Sequence, residues 1–528
     1  AKVAQSGGTV DLNTSLAYAG VWSQSGGSLV LASGRTLTLS GSGDKFAGTV
    51  AGAGTLALIG GTAALSAGAS LSVAHLSQSG GATVTVSGAP SCVGVWTQTS
   101  GVISVGAAAT LKLTGTGDGF AGTVDGAGTL ALAGGTDAFK AGAALTVAKV
   151  AQSGVAAVTF ATTLSYVGVW SQGAGAISVA AGDTLTFSGT GNLFKGTLTG
   201  AGAVALKGGS DGLQGATLAG HLNINGAAVT LSGTLKNSGV VTAASSGIVV
   251  ALAGATLTGG GQLTLTNLAT NKIEGAGSAA TLTNVNNVIS GAGQLGGGQM
   301  ILVNEAGGTI TANAATALVI NTGVHTISNA GALESDSNPG LTIVSAVNNT
   351  GTLIAQGGTL TLEGVVTGAG TAVVNAGTLI AQKAFSENVA FGTTGRLVLA
   401  DSQAYAGGIS NFSKTKGTSL DLEDIAFSTA HTSYSGTSTA GVLTVTDGAH
   451  SAKIHFIGNY TAATWVLSKD TSGGTIVVDP VRPVAPIAAL LIQSATGFGF
   501  GDSASHAPVL SPDGAERMML AMPHGRAP

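Results

Sequence analysis

Apolar residues alternate with Thr, Ser or Ala in short runs along most of this 528-residue chain. Examples are SLVLAS at residues 28–33, TLTLSG at 36–41 and TVTVSG at 83–88. Alternation with a period of two over four to six residues predicts a β-strand with one buried face. Segments such as GG, SGSG and GAG separate the runs, and glycine supplies the positive φ angles that tight turns need. The pattern therefore predicts an all-β chain of short strands.

A 74-residue internal repeat covers residues 1–221 in three copies. Its clearest marker is GVW followed by Ser or Thr and then Gln, which places Trp22, Trp96 and Trp170 at two equal steps along the chain. The same step relates two further sets, and a third keeps it to within one residue. These sets are Phe46, Phe120 and Phe194; Gly54, Gly128 and Gly202; and Gln5, Gln78 and Gln152. A fixed period of this kind is typical of a stacked repeat architecture.

Roughly eight strands fit in each copy, and each is too short to be stable alone. Stacking buries their apolar faces, because each strand can pair with one above and one below at about 4.8 Å. The predicted fold is therefore a parallel β-helix, or β-solenoid. With coils of about 22 residues, the first 480 residues would form a rod on the order of 100 Å long. If one repeat is three or four whole coils, the three Trp side chains lie in one row.

After residue 221 the exact period fades while the alternation continues, so residues 222–383 are predicted to extend the solenoid irregularly. Two identical GTLIAQ segments begin at Gly351 and Gly377, and the step between them is interpreted as one coil. Near residue 384 aromatic and acidic residues become more frequent, which predicts a β-rich module at 384–480 that caps the open strand edges. Residues 481–528, with Pro483 and Pro486, are predicted to be a linker and a tail that holds a secretion signal.

Composition excludes several classes of protein. Charged residues make up 8% of the chain and glycine contributes 87 residues, which disfavours helices, whereas the 44% hydrophobic content argues against disorder. A net charge of −4 without a basic stripe excludes nucleic acid and anionic lipid as partners. No run approaches the ~20 apolar residues that span a bilayer. The single cysteine, Cys92, excludes an intrachain disulfide and a zinc site, and it is expected to be a small buried residue.

Part of the chain resembles a known family. The residues that carry the resemblance are NTGTLIAQGGTLTLEGVVTGAGTAVVNAGTL, LVLADSQAYAGGISNF, DLEDIAF, GVLTVTDGAHSAKIHFIGNYTAATW and GGTIVVDP. They are similar to the C-terminal modules of very large β-strand-repeat surface proteins of alphaproteobacteria, which are related in style to autotransporter passengers and filamentous-haemagglutinin-like adhesins. The resemblance covers about residues 220–480. It implies export to the cell surface or extracellular matrix, a role in attachment, biofilm or a surface layer, and no catalytic residues.

The chain departs from that family pattern in two respects. It ends at Pro528 without the membrane barrel of an autotransporter, so type I secretion is the expected export route. It also lacks the nonapeptide GGxGxDxUx, so no motif supports calcium as a cofactor, and no other cofactor is expected. Because Ala1 already lies inside a repeat, the chain is expected to be a processed product or a segment of a longer protein.

Acidic residues are the main candidates for chemistry, because β-helix enzymes that act on polysaccharides use converging carboxylates. Asp44, Asp118 and Asn192 share one repeat position, and an interchangeable Asp or Asn beside Gly favours a turn-former over a catalytic residue. The densest acidic group is Asp421, Glu423 and Asp424. Asp421 and Glu423 would share one face of a strand, where they could bind calcium or form a hydrolase pair, but a solvated edge that discourages aggregation is the favoured interpretation.

Two further groups are candidates. The acid and histidines at Asp447, His450 and His455 lie close in sequence without forming a recognisable catalytic pattern. The indole rings of Trp22, Trp96 and Trp170 either form an exposed interaction ladder that stacks on glycans or seats a partner subunit, or fill the core, which is favoured.

The sequence thus predicts a secreted, non-enzymatic structural or adhesive protein of the cell surface or extracellular matrix. Adhesion, a biofilm matrix, a surface layer and filament assembly remain open as its role. Its expected partners are other copies of itself, cell-surface components or glycans. The alternative is a carbohydrate-active β-helix enzyme, either a polysaccharide lyase or a hydrolase. A groove lined by three or more convergent acids or bases would favour the enzyme, and a wall of Thr, Ser, Asn and small apolar residues would favour the structural role.

Overall fold

The computed structural model describes residues 1–480. Their regular secondary structure is almost entirely β, and parallel coils stack into a β-solenoid of about 21 turns. The predicted parallel β-helix is therefore confirmed. Most strands have three to five residues, and burial alternates along them as the sequence pattern requires, as in Thr36–Leu39, where the two Leu side chains point into the core.

The strands of residues 1–221 are β1 (Lys2–Gln5), β2 (Thr9–Leu12), β3 (Leu16–Tyr18), β4 (Val21–Gln24), β5 (Ser28–Leu31), β6 (Thr36–Leu39), β7 (Asp44–Phe46), β8 (Thr49–Leu58), β9 (Thr62–Leu65), β10 (Ser70–Gln78), β11 (Thr83–Val86), β12 (Ser91–Cys92), β13 (Val95–Gln98), β14 (Val102–Val105), β15 (Thr110–Leu113), β16 (Asp118–Phe120), β17 (Thr123–Asp125), β18 (Thr129–Leu132), β19 (Thr136–Phe139), β20 (Ala144–Leu145), β21 (Lys149–Gln152), β22 (Ala157–Phe160), β23 (Leu164–Tyr166), β24 (Val169–Gln172), β25 (Ala176–Val179), β26 (Thr184–Phe187), β27 (Leu193–Phe194), β28 (Thr197–Thr199), β29 (Ala203–Lys207), β30 (Ser210–Gln214) and β31 (Thr217–Leu218).

The strands that follow, up to the change in composition, are β32 (His221–Asn225), β33 (Ala228–Asn237), β34 (Val240–Ala244), β35 (Gly247–Thr258), β36 (Gln262–Leu265), β37 (Lys272–Gly275), β38 (Thr281–Asn284), β39 (Val288–Gly291), β40 (Gly293–Gly296), β41 (Ile301–Asn304), β42 (Thr309–Ala312), β43 (Leu318–Ile320), β44 (Ile327–Asn329), β45 (Ala332–Ser335), β46 (Leu341–Ile343), β47 (Val347–Asn349), β48 (Thr352–Gln356), β49 (Thr359–Leu362), β50 (Val366–Gly368), β51 (Thr371–Asn375) and β52 (Thr378–Ala381).

The remaining elements are β53 (Asn388–Phe391), β54 (Gly395–Leu399), a 3-10 helix (Ser402–Ala404), β55 (Gly408–Ser410), β56 (Thr418–Leu422), a second 3-10 helix (Phe427–Thr429), β57 (His431–Gly436), β58 (Ala440–Thr446), β59 (Ser451–Ile457), β60 (Val466–Lys469) and β61 (Thr475–Val478).

Each coil contributes one strand to each of three faces. In the first coils β1 pairs with β4, β2 with β5 and β3 with β6, all in parallel. We call the faces that begin with β1, β2 and β3 face A, face B and face C. The long strands β8, β10, β33 and β35 each turn a corner and serve both face B and face C. Each strand is too short to be stable alone. Hydrogen bonds to the coils on either side satisfy its backbone N–H and C=O groups.

The 74-residue repeat is not a whole number of coils. From β4 to β13, with β8 and β10 each counted as two strands, there are eleven strands, and eleven again separate β13 from β24. Three strands make a coil, so one repeat is three and two-thirds coils. The expected eight strands per copy were therefore too few. The length of a coil also varies with its corners, since Leu111 pairs with Leu130, whereas Thr97 pairs with the more distant Gly119.

The two GTLIAQ segments also lie on different faces. Thr352 pairs with Thr371 on face A, and Thr359 pairs with Thr378 on face B. The step from Gly351 to Gly377 therefore advances four strands, from β48 to β52, which is one and one-third coils. Its interpretation as a single coil was wrong. Identical sequence segments can occupy different faces because all three faces demand the same alternation of inward and outward residues.

Parallel stacking continues past residue 384 to β56. Beyond it, β59 pairs in parallel with β55 on face A, and β58 and β57 continue this face as antiparallel strands. The antiparallel β60–β61 hairpin pairs with β56. An aromatic cluster lies at this end, where the Phe456 and Trp465 ring centroids are 5.1 Å apart and Phe412 packs edge-on to Phe456 at 5.4 Å. The predicted tail and secretion signal at 481–528 lie outside the described residues. Nowhere in residues 1–480 is there a helix with the length and apolar character to cross a bilayer.

Candidate functional site

The three repeated tryptophans lie on three different faces. Trp22 is on face A beside Val3, Trp96 is on face C beside Leu76, and Trp170 is on face B beside Val150. A step of eleven strands advances two faces each time, so the expected single row of Trp side chains does not form. The rotation follows directly from a repeat of three and two-thirds coils.

All three indole rings are inside the solenoid. The exposed fractions of Trp22, Trp96 and Trp170 are 2%, 0% and 0%. They present no ring face to a sugar or a partner, so the exposed interaction ladder is wrong and the core interpretation describes these residues. Trp170 instead packs among aromatic rings, with its centroid 5.9 Å from Tyr166 and 5.7 Å from Phe187.

The residue that follows each tryptophan by 22 positions holds its backbone. Asp44 Oδ1 accepts a hydrogen bond of 2.7 Å from the Trp22 N–H, and Asn192 Oδ1 accepts one of 2.8 Å from the Trp170 N–H. Both acceptors are buried at the inner side of face A or face B. The interchange of Asp and Asn is explained by this bond, because either side chain offers the single oxygen that it needs. Asp44 begins strand β7, so it contributes a buried acceptor to a strand.

Glutamines provide a second set of internal bonds that the sequence pattern did not reveal. Gln24 Nε2, for example, donates to Gly27 O in its own turn at 3.2 Å and to Thr49 O in the next coil at 3.0 Å. The residues that bond in this way are Gln5, Gln24, Gln78, Gln98, Gln152 and Gln172. The Gln in the GVW motif and its partner one coil earlier were visible as repeats. Their role was hidden because it depends on which carbonyl lies above them.

After the repeats end, buried asparagines along face C form similar side-chain hydrogen bonds from coil to coil. Asn284 Nδ2 donates to Asn304 Oδ1 at 2.9 Å, Asn304 Nδ2 to Asn329 Oδ1 at 2.8 Å, and Asn329 Nδ2 to Asn349 Oδ1 at 2.7 Å. All four side chains are fully buried. Such a ladder satisfies both the donor and the acceptor of each amide and links four successive coils. The irregular spacing of its members concealed it in the sequence.

A pair of buried carboxyl groups occupies adjacent coils of face C in the second repeat. Asp118 pairs in register with Asp137, and each is 1% exposed. Burial raises the pKa of Asp118 to about 6, against the opposing effect of the Trp96 N–H. Burial, together with the neighbouring charge of Asp118, raises the pKa of Asp137 to about 8. The sequence pattern singled out Asp118 alone and missed its partner.

The three acidic residues Asp421, Glu423 and Asp424 do not form one site, because each lies in a different environment. Asp421 is 1% exposed and forms an ion pair with Arg396, so the expected solvated edge is wrong for this residue. Glu423 lies beyond the end of β56 at Leu422, so it does not share a strand face with Asp421. Asp424 accepts a bond of 3.1 Å from the Ser402 N–H. Across the part of the chain that the structure describes, no three His, Cys, Asp or Glu side chains are arranged to hold a metal ion.

The remaining candidates have structural contacts. Asp447 accepts bonds from the His450 N–H at 2.7 Å and the Ala426 N–H at 2.9 Å, and its Oδ2 is 3.1 Å from His450 Nδ1. These hydrogen bonds hold the pKa of Asp447 well below its usual range. His455 lies on β59, where it pairs with Val442 across the hairpin. Cys92 is buried, as expected, and burial raises the pKa of its thiol to about 12.

The outer walls carry mostly small neutral side chains. On face C, for example, Thr234, Thr256 and Thr283 are in register on successive coils and line a shallow groove. A groove on face B brings one acid and one base, Glu274 and Lys272, next to glycines and amides. Comparison with known proteins found no match to any family model, curated protein or solved structure.

Proposed function

We propose that this chain is a secreted structural or adhesive protein of a bacterial cell surface or extracellular matrix. The observation that carries the proposal is the uninterrupted stack of parallel coils, about 21 turns, whose polar interior groups bond from coil to coil. At about 4.8 Å per coil the stack spans on the order of 100 Å. A rod of this kind supplies length and stiffness to a surface.

The walls support the same proposal. Outward positions such as Thr234, Thr256 and Thr283 repeat one chemistry from coil to coil. Repetition of weak contacts along a stiff wall produces avidity without any strong single site. Other copies of this chain, cell-surface components and glycans are the partners that such a wall would suit.

A matched pair of variants tests this function. Deletion of residues 96–169 removes one repeat of eleven strands and should shorten the rod by about 18 Å. Glu274→Gln removes the acid of the face B groove and leaves the stack intact. Cells that display the full chain or the Glu274→Gln variant should attach to a surface or form matrix equally well. Cells that display the shortened chain should differ from both in attachment or matrix formation. Electron microscopy should show shorter projections on these cells.

The enzyme alternative gives the opposite result. Purified full chain would then release reducing or unsaturated sugar ends from bacterial polysaccharides, and Glu274→Gln would abolish the release. Such turnover, without any difference in attachment between cells that display the chain and cells that lack it, would overturn the structural proposal.

A further inference from the structure

The carboxyl groups of Asp118 and Asp137 lie in the core without enough donors. Asp118 Oδ1 accepts the Trp96 N–H at 2.6 Å. Within residues 1–480, however, Asp118 Oδ2 and both carboxyl oxygens of Asp137 find no N–H or O–H donor. Two ionised carboxylates in register on adjacent strands, away from water, would repel each other strongly. A proton on one of them supplies the missing donor and removes one charge.

The other repeats show what this position requires. The equivalent pair in the third repeat is Asn192 and Asp211, where Asn192 Nδ2 donates to Asp211 Oδ1 at 2.9 Å. An Asn amide is the nearest neutral counterpart of a protonated Asp, since both offer a donor and an acceptor. In the first repeat, Asp44 stacks on Ala63, so there is no second acid to accommodate. The three repeats thus avoid a doubly charged pair in different ways, and only the second repeat needs a proton to do so.

No basic group in the described core neutralises this pair. Trp96 precedes it on face C and Val158 follows it, and the inward residues on the other two faces of these coils are apolar. These inward residues are Ile103, Val105, Leu111, Leu113, Val124, Leu130, Leu132 and Leu145. The Cys92 thiol is the titratable neighbour in the core, and it stays neutral because burial raises its pKa to about 12. Lys140 approaches Gly119 from the outer side of the wall and is exposed.

We propose that Asp118 and Asp137 share a single proton inside the solenoid, and that loss of this proton as pH rises loosens the second repeat. Asp137 carries the proton, and its O–H donates a hydrogen bond to Asp118 Oδ2. The other oxygen, Asp118 Oδ1, already accepts the Trp96 N–H. The pair is therefore a pH-sensitive element that is built into one repeat and replaced by a permanent amide in the next.

The direction of the pH dependence follows from linkage. The raised pKa values mean that the folded chain binds more protons than the unfolded chain between the ordinary value of 3.8 and about 8. Stability contributed by the pair is complete below that window and is lost as pH rises through it. For each linked proton, the equilibrium constant for local opening increases by at most about tenfold per pH unit.

Reciprocal substitutions in the full chain test the proposal. Asp118→Asn copies the third repeat into the second, and Asn192→Asp copies the second into the third. Hydrogen–deuterium exchange reports protection of the strands around residues 118–139 and 192–213 separately, after correction for the intrinsic pH dependence of exchange. Infrared spectroscopy independently detects the C=O stretch of a protonated carboxyl group.

In the unmodified chain, protection of residues 118–139 should fall by about tenfold or more between pH 4 and pH 8, while residues 192–213 should change less. Asp118→Asn should flatten the first profile and weaken the protonated-carboxyl band at neutral pH. Asn192→Asp should give residues 192–213 the steep profile and add such a band. The proposal is overturned if Asp118→Asn keeps the full pH dependence, or if Asn192→Asp folds and gains neither the slope nor the band.

Discussion

Trp96 and Asp118 are joined by a 2.6 Å hydrogen bond from the backbone N–H of the first to Oδ1 of the second, one coil further along face C. Asp44 and Asn192 make the same bond to Trp22 and Trp170 on the other two faces. Each repeat therefore carries the bond with it as the repeat rotates around the solenoid. The bond belongs to the sequence repeat, and the face on which it lies is set by the number of strands.

We expect Asp44→Ala to destabilise the first repeat by about 1–3 kcal/mol, because the Trp22 N–H loses its acceptor in the core. Asp44→Asn should be much closer to the unmodified chain, since Asn192 fills this role in the third repeat. Urea unfolding, combined with exchange protection of the Trp22 amide, measures the difference. Equal losses in both variants would mean that this hydrogen bond does not stabilise the repeat.

Substitution of an inner member of the asparagine ladder should lower the stability of the fold. Asn329→Ala removes the acceptor of Asn304 Nδ2 and the donor of Asn349 Oδ1, and should cost about 1–3 kcal/mol of unfolding free energy. Asn348→Ala is the matched control, because Asn348 is exposed on the outer side of the same strand as Asn349, and it should change stability by less than about 0.5 kcal/mol. Chemical denaturation of the two variants checks this, and a control that loses as much as Asn329→Ala would contradict it.

Two glycines at turns from face B to face C separate backbone strain from steric clash. Gly34 and Gly135 have φ angles of 69° and 65°. A Cβ on Gly34 would meet open space, whereas a Cβ on Gly135 would overlap the carbonyl oxygen of Gly115 in the preceding coil. We expect Gly34→Ala to cost roughly 1–2 kcal/mol from the left-handed backbone. Gly135→Ala should cost clearly more, and thermal unfolding of both variants measures the difference. Equal costs would show that the neighbouring coil moves aside without a loss of stability.

Glu387 should make stability fall with rising pH. It is 1% exposed, and burial raises its pKa, with the Asn349 side chain opposing part of the shift. The folded chain therefore keeps the proton above the ordinary value of 4.5, so the contribution is complete below that pH and is lost as pH rises through the raised pKa. Glu387→Gln should lessen this decline in melting temperature. Glu305→Gln, at an exposed position, should leave the decline unchanged.

The alternation of residues predicted individual elements well. The runs at residues 28–33, 36–41 and 83–88 contain β5, β6 and β11. Such runs are informative because burial of one face is a local property of the chain, which every second residue records. The resulting parallel β-helix is confirmed, while the secreted location and the adhesive role stay predictions.

The internal chemistry was much less predictable. Nothing in the sequence marks Asp137 as a neighbour of Asp118, and nothing links Arg396 to Asp421, because both pairs meet only through the stacking of coils. The lengths of three turns decide which residue of the next coil becomes the partner, and these lengths differ from coil to coil. Single-sequence patterns record no such lengths.

The sequence by itself determined that the chain forms short strands with one buried face and that these strands must stack. Only the tertiary structure decided the register: that one repeat takes eleven strands and that Trp22, Trp96 and Trp170 therefore occupy three different faces. The physical reason is that alternation is fixed within each strand, whereas the length of a coil depends on how each corner turns. Adding or removing one corner residue alters which side chains meet without altering the alternation that makes the segments strands.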